Sequence, residues 1–184
     1  MERKVELRKE ITRRLQDQDP ALRDKRSREI QEKLLSNREF GTCKTVMTYV
    51  SFPTEVNTRY INEEAFRLGK KVVVPYVEPK KEIIIASKLT AIENLEKGPF
   101  GIYQPKKDLV EEIPLEEIDL IVVPAIAYNK NNMRLGRGKG YYDKFLAKDK
   151  LSRATTIGLA FRFQILDDLP LDPHDKPVSL VITD

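Results

Sequence analysis

Apolar positions along the first 37 residues recur with the period of a helix. Leu7, Ile11 and Leu15 stand at i, i+4 and i+8, one stripe on an otherwise charged segment. Asp19-Pro20 interrupts it, and Pro20 suits the first turn of a second helix. There Leu22, Ile30 and Leu34, with Glu29 and Lys33, continue the helical pattern, and most of the charges read as solvated faces. From Lys44 the period changes. The run Lys44–Val50 is short and β-branched, as a buried strand is. A polar loop, Ser51–Thr58, leads to a helix around Tyr60–Leu68, and Gly69 stands where a C-cap glycine ends a helix. The apolar run Lys71–Pro75 follows. Strand, loop, helix and strand in that order predict a βαβ unit and a parallel sheet.

Downstream, Glu82–Ser87 reads as a strand, Gly98–Gly101 as a turn, and Leu109–Ile118 as an acidic, proline-interrupted connection. Asp119–Ile126 carries the strongest strand signal in the chain. A glycine-rich loop and a helix near Tyr141–Lys148 come next, and Thr155–Ala160 and Val178–Ile182 supply the last strands. No Ser/Gly linker divides the chain and no internal period repeats, so a single domain over 1–184 is expected.

Composition narrows the picture. The 184 residues are 40% hydrophobic and 34% charged, enough apolar material for a core and too much for disorder. Lys plus Arg is 33 against 29 acids, a net +4, too mild to demand nucleic acid but suited to a phosphate site. The single cysteine, Cys43, rules out an intramolecular disulfide and a Cys-based zinc cluster, and is consistent with a reducing compartment. The single histidine, His174, excludes any site needing two imidazoles. The N-terminus is charged where an apolar targeting segment would sit, and no run approaches the about 18 apolar residues of a membrane span. A cytoplasmic protein is expected.

Candidate chemistry concentrates in Arg134-Leu-Gly-Arg-Gly-Lys-Gly-Tyr-Tyr-Asp143, where three of the chain's eight glycines fall between 136 and 140. Glycine permits φ > 0 and lets a ligand reach the backbone N–H groups. Successive amides form an anion-binding nest, a following helix N-terminus adds its dipole, and Arg134, Arg137 and Lys139 add positive charge. Strand, basic glycine loop and helix together predict a phosphate site at the carboxyl end of a sheet. The pattern is neither a Walker loop, since Gly140 follows Lys139, nor the dinucleotide fingerprint, since it reads Gly-x-Gly-x-Gly late in the chain. The competing reading is a flexible surface loop with incidental charges.

The neighbouring residues admit two readings each. Tyr141 and Tyr142 open the helix and either pack on the sheet or face a planar ligand. Asp143 is either a carboxylate for the Mg²⁺ of a nucleoside triphosphate or an acid favoured by the helix dipole. Lys4 and Arg8 project from one helical face at i and i+4 amid other cations. Glu55 is a loop acid after the first strand, exposed or ligand-facing, and Asp175 is a second metal carboxylate or a turn residue.

These residues resemble the 5-formyltetrahydrofolate cyclo-ligase (methenyltetrahydrofolate synthetase) family. The landmarks run in order over nearly the whole chain: Lys4-x-x-Leu-Arg8, Ser51-Phe-Pro-Thr-Glu-Val-x-Thr58, Arg134–Asp143 and Pro173-His-Asp175. Position 57, often acidic in the family, is Asn57 here. The resemblance implies conversion of 5-formyltetrahydrofolate, ATP and Mg²⁺ into 5,10-methenyltetrahydrofolate, ADP and phosphate. Carried over by position, it implies ATP binding by Lys4, Arg8, Arg134, Leu135, Gly136, Arg137, Gly138, Lys139, Gly140, Tyr141 and Tyr142. Substrate contacts would come from Arg8, Val50, Glu55, Arg137, Gly138, Lys139, Gly140 and Tyr141, with Asp143 and Asp175 serving Mg²⁺. Arg137, Lys139 and Tyr141 are the expected catalytic residues. An RNA-binding protein and a different small-molecule kinase are the competing functions; the mild charge and the lack of an aromatic-interleaved motif weigh against RNA. The full expectation is a monomeric, single-domain α/β three-layer sandwich with a mainly parallel central sheet, helices on both faces, and no nucleic-acid or membrane partner.

Overall fold

The computed structural model describes residues 2–172 and 175–184. Two amphipathic helices open it, α1 (Glu2–Gln16) and α2 (Pro20–Leu35). The Asp19 side chain accepts the Leu22 N–H at 2.8 Å and Pro20 occupies the first turn, where its missing N–H is harmless. Ile11, Leu15, Ile30 and Leu34 are buried, but Leu22 is 44% exposed. Eight residues separate Leu22 from Ile30, which at about 100° per residue leaves Leu22 roughly 80° off the inward stripe. The polar Ser27 and Gln31 hold that inner face instead.

The remaining elements are α3 (Arg38–Thr42), β1 (Thr45–Met47), α4 (Arg59–Arg67), β2 (Lys71–Glu78), β3 (Ile83–Leu89), β4 (Leu95–Lys97), β5 (Tyr103–Pro105), β6 (Leu120–Val123), β7 (Ala127–Asn129), β8 (Arg134–Leu135), α5 (Tyr141–Leu146), β9 (Thr155–Ala160), β10 (Ile165–Leu166) and β11 (Leu180–Thr183). Gly69, at φ +69°, ends α4: its N–H reaches Phe66 O and the Lys70 N–H reaches Ala65 O, each at 2.9 Å.

The central sheet runs β11-β9-β6-β1-β2-β3, parallel throughout except for β3, which lies antiparallel on β2. Its strands alternate between two cores. Val46, Val72, Val74, Leu120, Val122, Ile157 and Leu159 face the side packed with residues of α1–α4. Met47, Val73, Ile121, Val123 and Ala160 face the other, where Phe145 of α5, Leu151 and the connection residues Ile113 and Ile118 cover them. Helices thus lie on both faces, very unequally. A strand buried on both sides reads as continuous Val/Ile/Leu, which is why periodicity found β2 and β6 readily.

The structure also departs from the sequence reading in its strands. The first strand is three residues long, and the Thr48 N–H still bonds Val73 O at 2.9 Å just past its end. The glycine loop leaves not the central strand but a short antiparallel hairpin, β7–β8, to which β10 adds. Strands of two or three residues carry no measurable period.

Topology then dictates where a ligand fits. From β1 the chain builds outward through β2 on one side and later, from β6 through β9, on the other. The adjacent carboxyl ends of β1 and β6 therefore flank a switch point, the place where an open α/β sheet leaves a crevice. Tyr128 of β7 lies across the sheet with its hydroxyl donating to Val123 O at 2.6 Å. A Cβ added at Gly158 would sit 2.4 Å from the Tyr128 ring. Gly158→Ala is expected to destabilise the fold by about 1–3 kcal/mol through overpacking, read as a lowered urea midpoint with unchanged m.

Candidate active site

A cavity of about 490 Å³ opens at that switch point. Its walls come from four places: the first turns of α1 (Lys4, Arg8), the segment after β1 (Tyr49, Val50, Phe52, Glu55), the segment after β6 (Pro124, Ala125), and the whole run Arg134–Asp143. Asp172 and Asp175 complete one rim, and Val77, Ile84, Phe100 and Ile102 form an apolar side. All the site residues expected from the sequence line this one cavity. Pro173 and His174 of the last landmark lie outside the described residues.

The glycine loop is built by local rules. The Asn129 side chain accepts the N–H groups of Asn131 and Met133, each at 3.0 Å, which tightens the β7–β8 turn. Gly138 (φ +95°) and Gly140 (φ +70°) adopt left-handed conformations after it. Arg8 lies against the loop, its Nε donating to Gly136 O at 2.8 Å, and a Cβ on Gly138 would approach Arg8 Cζ to 3.3 Å. Among the described residues, the N–H groups of Gly136–Gly140 find no acceptor in the protein. The helix that follows has only six residues, shorter than the expected Tyr141–Lys148, so the amides and cations carry the anion-binding character more than a helix dipole does.

Each acidic group at the rim holds a cation. Glu55, only 9% exposed, accepts Arg137 Nη2 at 2.5 Å and the Phe52 N–H at 2.9 Å, while the Arg137 guanidinium stacks on the Phe52 ring at 4.5 Å. Arg134, 7% exposed, donates through Nη2 to Asp143. Lys4 Nζ lies 2.6 Å from Asp172 and 3.0 Å from Asp175. Burial works against ionisation of both Lys4 and Asp175, but their contact, with the Asp172 N–H and Arg134 also acting on Asp175, holds the lysine above and the carboxyl below their ordinary values.

The loop carrying Glu55 is fastened from behind. Ser51 and Thr58 exchange backbone-to-hydroxyl bonds at 3.1 and 3.2 Å. Gln31 donates to Asn57 O at 2.7 Å, and Ser27 Oγ accepts the Asn57 N–H at 2.8 Å. Asn57 Oδ1 accepts the Arg59 N–H at 2.8 Å, a capping task that an acid at this position performs equally well.

The aromatic residues divide their tasks. Tyr141 faces Phe100 at 6.1 Å, and Lys139 Nζ sits 5.5 Å from the same ring. Tyr142 packs edge-on against Phe145 yet also lines the cavity, its hydroxyl buried and unpartnered. Burial pushes the phenols of Tyr49 and Tyr142 up, so both stay protonated at neutral pH. Tyr49, Phe52, Phe100 and Asp172 were not singled out from the sequence. The signal for Phe100 was an aromatic between Pro99 and Gly101, in a turn that needs none; it takes φ +58°, a strained choice for a phenylalanine.

Among the described residues no three His, Cys, Asp or Glu side chains cluster as a protein-only metal site. Mg²⁺ commonly uses one or two carboxylates completed by substrate phosphates and water, and Asp143 and Asp175 in one cavity wall fit that donor set.

Comparison with known proteins follows the same line. One family model, described as the 5-formyltetrahydrofolate cyclo-ligase family, matches residues 1–184. The chain belongs to that family. It is accordingly an enzyme, a cyclo-ligase. The 5-formyltetrahydrofolate cyclo-ligase of Mus musculus is 31% identical over 96% of this chain and 91% of its own. The solution structure of the Aquifex aeolicus 5,10-methenyltetrahydrofolate synthetase superposes with a TM-score of 0.82 at 31% identity, covering 98% of this chain and 89% of that one. A Mycoplasma pneumoniae 5,10-methenyltetrahydrofolate synthetase gives 0.78 at 26% identity, covering 98% of each chain.

The Lys4–Asp175 contact sets a pH dependence. Asp175 sits below its ordinary 3.8, so its share of stability is present above about pH 4 and is lost as pH falls through the lowered value. Lys4 sits above 10.5, so its share is complete below that value and lost only in stronger alkali. Asp175→Asn is expected to be destabilised relative to the native sequence at about pH 7 and to converge on it as pH falls through the lowered value, measured by urea unfolding.

Proposed function

We propose that the protein converts 5-formyltetrahydrofolate to 5,10-methenyltetrahydrofolate in an ATP- and Mg²⁺-dependent reaction that releases ADP and phosphate. The observation that carries this reading is the meeting, in one cavity, of an amide-rich glycine loop, five cations and an apolar aromatic wall. The first two suit a polyphosphate and the third suits a planar ring system.

The chemistry needs what these groups offer. The N5-formyl group is an amide, a weak electrophile with a poor leaving group. Attack of the formyl oxygen on the γ-phosphorus forms an O–P bond and breaks the bond to ADP, leaving an iminium phosphate. N10 of the same folate then attacks the formyl carbon, its proton departs, and phosphate leaves with the C–O electron pair. Phosphoryl transfer asks a protein mainly for alignment and charge neutralisation. Holding N10 beside the activated carbon makes ring closure effectively intramolecular.

In this reading the amides of Gly136–Gly140, with Lys4, Arg8, Arg134, Leu135 and Tyr142, cradle ATP. Arg137 is aimed by its Glu55 partner and its Phe52 platform and meets the charge that develops on the transferred group. Lys139, with no ion pair among the described residues, is a second mobile cation for it. Tyr141 lies between loop and folate, Val50 and Glu55 border the folate, and the remaining lone pairs of Glu55 can accept pterin N–H groups. Mg²⁺, held by Asp143 and Asp175, would neutralise phosphate charge. The reading includes action as a monomer in a reducing cytoplasm, which the single free Cys43 suits.

Arg137→Ala is expected to lower methenyl formation by about 10²–10³-fold, on the scale of losing one transition-state donor, with an unchanged circular dichroism spectrum. The assay follows the methenyl chromophore and phosphate together. Phosphate release that does not depend on 5-formyltetrahydrofolate would refute the assignment, as would normal turnover in the variant.

A further inference from the structure

Four of the cavity's five cations are already held. Lys4 is held by Asp172 and Asp175, Arg134 by Asp143, Arg137 by Glu55, and Arg8 by Gly136 O. Of these partners, Asp143 and Asp175 are the two acids suited to a divalent cation, and they occupy the same wall as the cations suited to phosphate. A ligand that drew Arg134 and Lys4 onto its phosphate oxygens would strand both carboxylates beside a new negative charge. The Asp175 side chain is only 15% exposed, so its stranded charge is the costlier one, while Asp143, at 38%, is partly solvated.

The resting arrangement is also visibly incomplete. With its guanidinium turned to Asp143, Arg134 leaves Nε buried and unpartnered, and the Tyr142 hydroxyl in the same wall is likewise buried without a partner. Buried donors seldom stay unsatisfied, and a shift of Arg134 is one way to satisfy them.

We infer that Asp143 and Asp175 act as stand-in counter-ions, which release Arg134 and Lys4 to a polyphosphate only when that polyphosphate brings a divalent cation for the carboxylates. The two acids are then specificity-determining residues. They make the site accept metal-complexed nucleotide and reject the metal-free tetra-anion. The inference rests on the nucleotide-binding reading of the cavity. Coupling of this kind is reciprocal, so metal and nucleotide must each raise the other's affinity by one factor, of the order 5–150-fold.

The test is direct binding, not turnover. Titration calorimetry with a non-hydrolysable ATP analogue is run in excess Mg²⁺ and in excess EDTA, on the native chain, on Asp143→Asn/Asp175→Asn, and on Asp168→Asn. Asp168 pairs with Arg3 outside the cavity and controls for the mere loss of a negative charge. The native chain and Asp168→Asn are expected to bind at least about tenfold more weakly in EDTA. The double variant is expected to bind the metal-free analogue more tightly than the native chain does, because Arg134 is then free of its acid and Lys4 keeps only Asp172. Acids that served only as metal ligands would weaken binding in Mg²⁺ and leave the EDTA value unchanged, which would overturn the inference. Equal native affinity in both buffers would overturn it too. Absence of nucleotide binding in every buffer would instead overturn the functional reading beneath it. Should the double variant fail to fold, Asp143→Asn alone, which frees Arg134 from its acid, carries the same EDTA comparison.

Discussion

Arg8 rests on bare backbone. Its guanidinium packs over Gly138 and bonds the carbonyl of Gly136, and any Cβ at 138 would enter that contact from a φ that L-residues avoid. This contact ties the start of α1 to a loop about 130 positions later in the chain, and Lys4, one turn earlier, extends the tie to Asp172 and Asp175. Ile11 and Leu15 anchor α1 on the sheet, and the Arg8 contact holds the glycine loop, whose amides have no acceptor among the described residues, against its first turns. The cavity exists because a helix and a loop approach more closely than side chains would allow.

Close approach of so many cations raises a second demand. Five positive groups in one cavity repel one another, and a ligand-free protein must tolerate them. Glu55, Asp143, Asp172 and Asp175 answer that demand, each within hydrogen-bonding reach of a cation. The acids that make the empty site stable are therefore in direct competition with the anion that fills it. Exposed ion pairs such as Lys33–Glu29 and Arg59–Glu63 are of a different kind, local helix contacts at i,i+4 that solvent screens.

The sequence shows the strong periods and the dense chemistry, and misses what is short or aperiodic. Two-sided burial made β2 and β6 legible, and the Asp19-Pro20 interruption and the C-cap glycine Gly69 marked helix ends. The β7–β8 hairpin escaped because Arg134-Leu135 is a two-residue strand whose polar residue is buried by an ion pair that no pattern announces. Leu22 misled because its spacing was counted without the angular drift of a helix. At the site, glycines and cations concentrated in ten residues were conspicuous, whereas Phe52, Phe100 and Tyr49 were not, since an aromatic side chain in a loop looks the same whether it lines a cavity or covers a core. The pairings of Asp143 with Arg134 and Asp175 with Lys4 were beyond sequence reach, being contacts over chain turns and long separations.

The unequal layers of the sandwich give the site its two characters. On the α1–α4 face, buried hydroxyls and amides from Ser27, Gln31, Thr58 and Asn62 lock the segment after β1, so that Tyr49, Val50 and Glu55 are held by a rigid backing. On the other face only the six-residue α5 and short connections cover the sheet, and the cavity's apolar side comes from Val77 and Ile84 of the sheet's β2 and β3 with Phe100 and Ile102 between β4 and β5. Precise charge placement needs the first kind of support. Admission of a bulky planar ligand needs the second, because apolar contacts are non-directional and tolerate small displacements of a thinly packed wall. A fold with equally thick layers would hold its cations as well but would have closed the apolar side, and a cationic cradle without that side binds phosphate with nothing to receive it.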